Sequence, residues 1–184
     1  MSENSDDLCV LDYLNTGIIL KLKYILLKEI GKGNNAYVWL CYNIHDDIFC
    51  AIKIQNDDCI DDGTNEISIL EKILENKLNN NRCVENLENF IHVIDNTDIK
   101  LICSVYKLYA GNLKSLLTVG IYKYGFPIHI VKRMALQLLQ GINYLHNIIK
   151  IIHTDLKTTN IFFNGEFSYH TQIINSFNRD KFLS

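Results

Sequence analysis

IIHTDLKTTNIFF, residues 151–163, is the stretch of sequence that decides the fold. It stands between a long run of apolar residues at helical spacing and a short apolar run, so we expect a loop that joins a helix to a strand. Four polar side chains in this loop are spaced as HxDxKxxN, namely His153, Asp155, Lys157 and Asn160. A carboxylate, an ammonium and an amide gathered in one loop form a candidate catalytic site. The alternative is a polar loop that caps the helix and turns the chain.

A long helix is predicted immediately before this loop. It begins at Pro127, a residue suited to the first turn of a helix, and ends near His146. Apolar residues at helical spacing mark one face of this helix; they are Val131, Met134, Ala135, Leu138, Ile142 and Leu145. The helix, the loop and the strand that follows predict the beginning of a helical lobe.

The earlier part of the chain predicts a small antiparallel sheet. Three β-rich runs, KYILLKEI (23–30), AYVWLCYNI (36–44) and IFCAIKI (48–54), are separated by glycine-bearing or polar turns. An amphipathic helix, EISILEKILENKL (66–78), follows with Asp62 or Thr64 as its N-cap, and FIHVID (90–95) and IKLICSVYKLY (99–109) supply two further strands. The predicted fold class is α+β, with a lobe of five antiparallel strands and one helix followed by an incomplete helical lobe.

Composition limits the classes of partner. The net charge is -3, from 18 basic and 21 acidic residues, so the charge balance predicts neither nucleic-acid nor membrane binding. The six cysteines contain no CxxC pair, which argues against a zinc site or a disulfide framework. The start of the chain is acidic and unlike a secretory signal. We therefore expect an intracellular protein, cytoplasmic or nuclear.

Two further features lie in the predicted sheet. GKGNNAYV (31–38) has the form GxGxxAxV between two strands, where glycines let a backbone fold closely over phosphate oxygens; an ordinary hairpin turn is the alternative. Lys53 lies on the third predicted strand. Glu66, early on the predicted helix, is the carboxylate expected to pair with Lys53, and Glu71 is the substitute for Glu66 in this pair. Taken alone, either charge is most often a solvated surface residue.

Taken together and in this order, these motifs resemble the eukaryotic protein kinase family, over residues 17 to 184. The lysine two positions after Asp155 is typical of the serine/threonine type. The sequence is most similar to the SR-protein kinases in IIHTDLK (151–157), AYVWLCYNI (36–44), NEISILEK (65–72) and QLLQGINYLH (137–146). This resemblance divides the chain into a leader (1–16), a first lobe with its hinge (17–109) and a partial second lobe (110–184).

The resemblance implies ATP and Mg²⁺ as cofactors and assigns residues to them. Asp155 and Lys157 would be catalytic, and Asn160 would ligate Mg²⁺. Tyr106 would be the gatekeeper beside the base, and the backbone of Lys107 and Tyr109 would bind adenine. The implied nucleotide-binding residues are Ile30, Gly31, Lys32, Gly33, Asn34, Asn35, Ala36, Tyr37, Val38, Ala51, Lys53, Glu66, Tyr106, Lys107, Tyr109 and Phe162.

The sequence also departs from the family pattern. Thr154 replaces the arginine that pairs with a phosphorylated activation loop, so phosphorylation there would not be needed. Asn175 stands where the DFG aspartate belongs, and we expect it to bind Mg²⁺ more weakly than a carboxylate would. The predicted function is a serine/threonine kinase, present as a truncated copy, that acts on protein, with an Arg/Ser-rich substrate implied. The alternative is an inactive ATP-binding or interaction module.

Overall fold

The computed structural model describes residues 14–33, 36–55, 60–76, 82–94, 97–118, 122–165 and 168–177. The chain divides into two compact units. The described residues of the first unit fall within 14–67, 86–108 and 176–177, and those of the second within 68–85 and 109–175. The predicted boundaries of the kinase lobes stay a prediction.

The first unit is built on a six-stranded antiparallel sheet. Its strands, in chain order, are β1 (Ile19–Leu20), β2 (Tyr24–Lys32), β3 (Ala36–Asn43), β4 (Ile48–Gln55), β5 (Asn86–Val93) and β6 (Lys100–Lys107). Their spatial order is β1-β2-β3-β4-β6-β5. The five predicted strands are confirmed, and the two-residue β1 is an addition that its short sequence does not signal.

Alternation along the strands gives the sheet two distinct faces. Side chains of one face form the apolar core, which includes Trp39 on β3, Ile52 on β4 and Cys103 on β6. Leu14 also lies in this core, and the Thr16 hydroxyl donates to the carbonyl of Leu27 at 3.1 Å. Residues 14–16 of the predicted leader therefore pack onto the sheet.

Side chains of β2 and of the turn before it meet side chains of β5, the strand at the far edge of the sheet. The rings of Tyr24 on β2 and Phe90 on β5 stack with centroids 5.6 Å apart. The Glu88 carboxylate accepts hydrogen bonds from the Tyr24 hydroxyl at 2.5 Å, from Lys23 at 3.0 Å and from Lys21. We call Tyr24, Glu88, Lys23 and Lys21 the edge cluster. It joins strands that share no backbone ladder.

The helix α1 (Ile60–Glu75) begins earlier than predicted. Asp62 and Thr64 lie inside it, so neither is its N-cap, and Leu74 is 41 % exposed. Within this helix Gly63 lies close to the sheet, since a Cβ there would lie 2.6 Å from Cδ1 of Ile102 on β6. A glycine that reads as a turn signal thus serves a close helix-to-sheet contact.

The second unit is mainly helical. Its elements are the two-residue strands β7 (Gly111–Asn112) and β8 (Phe162–Phe163), which pair antiparallel, and the helices α2 (Leu113–Thr118), α3 (Ile128–Tyr144) and α4 (Ser168–Ser176). The predicted long helix and the strand after the loop are confirmed as α3 and β8. A π-helical turn, Leu145–Ile149, extends α3 and ends at Lys150 in the left-handed conformation.

A small core holds the second unit together. Tyr144, Leu145 and Ile149 are buried against Ile73 of α1. The Tyr144 hydroxyl also donates to the backbone carbonyl of Asn76 at 2.9 Å, which satisfies a carbonyl group just past the end of α1. Much of the apolar surface of α3 remains exposed, including Ile128, Val131, Leu136 and Leu139. No helix in the described ranges is both long and apolar enough to cross a membrane.

Candidate active site

Lys53 and Glu66 form an ion pair in the first unit. Strand β4 presents Lys53 on the sheet face opposite the core, and α1 packs on that same face through Gly63. The Lys53 ammonium lies 2.5 Å from Oε2 of Glu66, and the two side chains are 28 % and 34 % exposed. Glu71, the substitute partner left open by the sequence, is exposed on α1.

Tyr106 joins this pair from strand β6. Its hydroxyl donates to the other carboxylate oxygen of Glu66, Oε1, at 3.2 Å. Burial of the ring and the neighbouring Glu66 charge raise the pKa of the Tyr106 hydroxyl well above its usual range, so it stays protonated. Sequence reasoning placed Tyr106 beside the base but gave it no contact with Glu66.

Val38 and Ala51, two of the residues assigned to nucleotide binding, share the sheet face that carries Lys53. The register pairs Val38 with Lys53, and Ala51 with both Leu40 and Tyr106. Residues on opposite strands of one register pair lie on the same side of a sheet, so Val38, Ala51, Lys53 and Tyr106 form one surface. We call this surface the nucleotide face.

The glycine-bearing turn joins β2 to β3. The Gly33 N–H donates to the carbonyl of Ala36 at 2.8 Å, and β2 has a bulge at Ile30, between the register pairs of Glu29 and Gly31. A Cβ on Gly31 or Gly33 would make only ordinary contacts of 3.5 Å within the protein. The described residues around Gly31 and Gly33 would therefore accept a side chain at either position. Asn34 and Asn35 lie outside the described residues.

Two of the predicted nucleotide-binding residues, Tyr37 and Lys107, lie off the nucleotide face or at its edge. The Tyr37 ring is buried in the core cluster on the opposite face of the sheet, with the Lys32 ammonium 4.5 Å from its centroid. Any role for Tyr37 in binding nucleotide would therefore fall to its backbone. Lys107, at the end of β6, is exposed and pairs in register with Cys50.

Tyr109 and Phe162 meet in the second unit. Their ring centroids lie 5.8 Å apart, and Phe162 is 44 % exposed on β8. The Tyr109 hydroxyl oxygen accepts the backbone N–H of Glu85 at 2.8 Å, and burial raises the pKa of this hydroxyl. These contacts hold the Tyr109 side chain in place. The Tyr109 backbone lies two residues after the end of β6.

The loop at 151–163 brings together the carboxylate of Asp155, the ammonium of Lys157 and the amide of Asn160. The Lys157 ammonium lies 2.8 Å from Oδ2 of Asp155, and the Asn160 amide donates to the same oxygen and to the Asp155 carbonyl, each at 3.0 Å. The hydrogen bond from Lys157 lowers the pKa of the Asp155 carboxyl. A turn of 3-10 helix, Thr158–Asn160, positions Asn160 for these contacts. The carboxylate therefore favours its ionised form and is hydrogen-bonded through Oδ2.

Thr154 has an unusual backbone in this loop. Its φ is 58°, in the left-handed region that β-branched residues rarely adopt. Its hydroxyl donates to the carbonyl of His153 at 2.8 Å, and the Asp155 N–H donates to that same carbonyl at 2.7 Å. The sharp turn at Thr154 therefore directs Asp155 away from the preceding chain, at a cost in backbone strain.

Asn175, the predicted replacement for the DFG aspartate, and nearby Phe177 lie at the end of the described chain. Asn175 lies in the last turn of α4 with an exposed side chain, and its role in binding metal stays a prediction. Phe177 packs between Tyr42 on β3 and Phe49 on β4, with ring centroids 4.5 and 5.6 Å away. Nothing in the sequence signals this aromatic contact, because it joins segments far apart in the chain.

The donor set in the catalytic loop fits Mg²⁺ in a limited way. Asn160 directs its NH₂ group at two acceptor oxygens of Asp155, which leaves its amide oxygen pointing elsewhere and able to ligate a cation. No group of three or more His, Cys, Asp or Glu side chains suited to a metal occurs among the described residues. Mg²⁺ commonly takes one or two protein ligands and completes its shell with phosphate and water oxygens.

The chain matches known proteins in sequence. A family model, the protein kinase domain, matches residues 24–174. L205 of Acanthamoeba polyphaga mimivirus, assigned as a serine/threonine-protein kinase, is 44% identical over 173 residues, which cover 93% of this chain and 32% of the relative. The serine/threonine-protein kinase SRPK of Physarum polycephalum is 32% identical over 80% of this chain and 35% of the relative.

A further sequence match and a solved structure agree with this. SRSF protein kinase 3 of Homo sapiens is 27% identical over 86% of this chain and 29% of the relative. A crystal structure of a kinase domain matches with a TM-score of 0.71 at 26% identity, over 83% of this chain and 43% of that one. This chain spans about a third of the length of its curated relatives.

Proposed function

Because the chain belongs to the protein kinase family, we propose that it binds ATP and transfers the γ-phosphoryl group to serine or threonine of a protein. The observation that carries this proposal is the arrangement of Asp155, with Lys157 and Asn160 both bonded to its Oδ2. An ionised carboxylate held by a cation and an amide is the arrangement that phosphoryl transfer to a hydroxyl requires.

Lys53 would hold the nucleotide. Its ammonium binds the α- and β-phosphate oxygens, and the Glu66 carboxylate at 2.5 Å keeps it directed across the nucleotide face. Val38 and Ala51 are partly buried on the same face and offer apolar contact to the base. Glycine at positions 31 and 33 places no side chain between the backbone and phosphate oxygens, which would let the two approach closely.

The catalytic loop would act on the substrate hydroxyl. Both side-chain hydrogen bonds to the Asp155 carboxylate end on Oδ2, which leaves Oδ1 to accept the proton of the attacking hydroxyl. The Lys157 ammonium, beside this carboxylate, offsets negative charge on the phosphoryl group as it moves. Asn160 and Asn175 are the residues that would hold Mg²⁺, which would offset negative charge on the phosphates when bound.

The substrate we propose is an Arg/Ser-rich protein. Two relatives carry names that point to this class, SRPK of Physarum polycephalum and SRSF protein kinase 3 of Homo sapiens. Such a protein would be met in the cytoplasm or nucleus.

A second candidate function is a module that binds ATP or a partner protein without transferring phosphate. Asn175 favours it, because an amide oxygen binds Mg²⁺ more weakly than the carboxylate it would replace. The residues that match the protein kinase model also end at 174, just before Asn175. The two candidates share nucleotide binding and differ only in transfer.

Nucleotide binding is tested by thermal unfolding of the whole chain with and without magnesium-ATP. We expect ATP to raise the melting temperature, and Lys53→Ala to abolish that rise. Glu66→Ala should reduce it, whereas Glu71→Ala, which removes an exposed carboxylate from the same helix, should leave it unchanged. Equal ATP-dependent rises in all four proteins would refute the proposed role of Lys53.

A further inference from the structure

The Glu66 carboxylate is held from two sides. Oε2 accepts the Lys53 ammonium at 2.5 Å, and Oε1 accepts the Tyr106 hydroxyl at 3.2 Å. The register places Tyr106 opposite Ala51 and Ser104 opposite Lys53, so Tyr106 and Lys53 are diagonal neighbours on the nucleotide face. Each partner therefore uses its own oxygen, and neither displaces the other.

Glu66 needs such a second contact. Its side chain is 34 % exposed at the end of a flexible stem on α1, so water competes with Lys53 for the carboxylate. The Tyr106 side chain has only two rotatable bonds before its ring and is partly buried, which makes its hydroxyl a nearly fixed donor. A carboxylate bonded to a fixed donor at one oxygen presents the other oxygen in one direction.

We propose that Tyr106 is a positioning residue, whose hydroxyl orients Glu66 so that the carboxylate holds Lys53 ready for the phosphates. This inference rests on the proposed binding of ATP by Lys53. Tyr106, which would lie beside the adenine base, would thus have a second role that requires its hydroxyl as well as its ring. A phenylalanine at position 106 would fill the same space and leave Oε1 of Glu66 to water.

The edge cluster supplies a matched control in the same unit. There the Tyr24 hydroxyl donates to Glu88 at 2.5 Å while Lys23 lies 3.0 Å from the same carboxylate. The edge cluster thus contains the same side-chain types, lysine, glutamate and tyrosine, as the group formed by Lys53, Glu66 and Tyr106. Tyr24 belongs to the core face of the sheet, away from the nucleotide face. Tyr24→Phe removes the same atom from the same kind of group, without touching Lys53.

The first measurement is made without nucleotide. The rate at which an amine-reactive reagent labels Lys53 is followed by mass spectrometry, with the other lysines as internal references. We expect Tyr106→Phe to increase Lys53 labelling by about 3- to 10-fold, because a hydrogen bond to a charged group is lost. Tyr24→Phe should leave it unchanged. An unchanged rate in Tyr106→Phe overturns the inference, whatever Lys53 binds.

The second measurement is the affinity for magnesium-ATP by calorimetry. Tyr106→Phe should raise the Kd about 3- to 10-fold, and it should have no effect when Glu66 is already alanine. An equal loss in the Glu66→Ala background overturns the inference, since the hydroxyl would then act by another route. If labelling changes as expected but Lys53→Ala binds ATP normally, the ATP-binding proposal has failed while the Tyr106–Glu66 contact stands.

Discussion

The Lys157 ammonium lies 2.8 Å from Oδ2 of Asp155, two residues earlier in the same loop. Its hydrogen bond lowers the pKa of that carboxyl, and Asn160 adds a second hydrogen bond to the same oxygen. A general base must be ionised to accept a proton, so in the role proposed for Asp155 Lys157 would extend its working range toward lower pH. The contact thus links the Lys157 charge to the ionisation of Asp155.

Removing Lys157 should therefore change the titration of Asp155. Lys157→Met is expected to raise the pKa of the Asp155 carboxyl toward its ordinary value, because the cation that favours its charged form is gone. A carboxyl-carbon NMR titration of the full chain measures this directly and does not depend on activity. Lys157→Arg keeps the charge and should keep the low pKa. If the Asp155 carboxyl titrates in Lys157→Met as it does in the unchanged chain, the prediction is wrong.

Stability at acid pH should depend on Glu88. Burial alone would raise the pKa of Glu88, but hydrogen bonds from Lys21, Tyr24 and Lys23 outweigh it and lower the pKa to about 2. The ionised form therefore stabilises the fold fully above the unfolded-state pKa of 4.5, and this contribution is lost as the pH falls from there to about 2.

Glu88→Gln tests the edge cluster. We expect it to lower the free energy of unfolding near neutral pH by about 1–2 kcal/mol, and to flatten the dependence of stability on pH in the acid range. Denaturant unfolding at a series of pH values measures both effects. Glu75→Gln, which removes an exposed carboxylate at the end of α1, is the control. The same acid profile for Glu88→Gln and the unchanged chain would exclude this role.

Phe177 should contribute to the stability of the first unit. It packs against Tyr42 and Phe49, whose own rings lie 5.3 Å apart, and completes a cluster of three aromatic rings. We expect Phe177→Ala to lower the free energy of unfolding by about 2 kcal/mol, from lost apolar burial and ring contacts. Tyr124→Ala, which removes a ring that is 95 % exposed, should change it little. Equal melting temperatures for the two variants would argue against the cluster.

Local patterns were sufficient to predict much of the fold. Strands β3 and β4 follow apolar runs bounded by turn residues, and α3 follows a regular apolar stripe. The loop around Asp155 was evident because its chemistry lies within six residues, from Asp155 to Asn160. Lys53 and Glu66 could be paired from the family resemblance, and the structure brings them together.

The features that sequence reasoning missed depend on contacts between distant segments. Gly63 reads as a turn signal, yet it lies within α1, where the helix approaches Ile102 too closely for a larger side chain. The hydrogen bond from Tyr106 to Glu66 joins residues 40 positions apart. Neither spacing nor composition signals a contact of this kind. Such contacts are set by the packing of α1 on the sheet.

Transfer of phosphate that depends on Asp155 is the most direct test of the account. The purified chain is incubated with γ-labelled ATP, Mg²⁺ and an Arg/Ser-rich peptide, beside Asp155→Asn, which has nearly the same shape but cannot accept the proton. We expect label to reach the peptide serines, and Asp155→Asn to reduce the rate at least about 100-fold. Transfer that is equally fast in Asp155→Asn would contradict the proposed catalytic role, and magnesium-ATP binding without any transfer would favour the binding module instead.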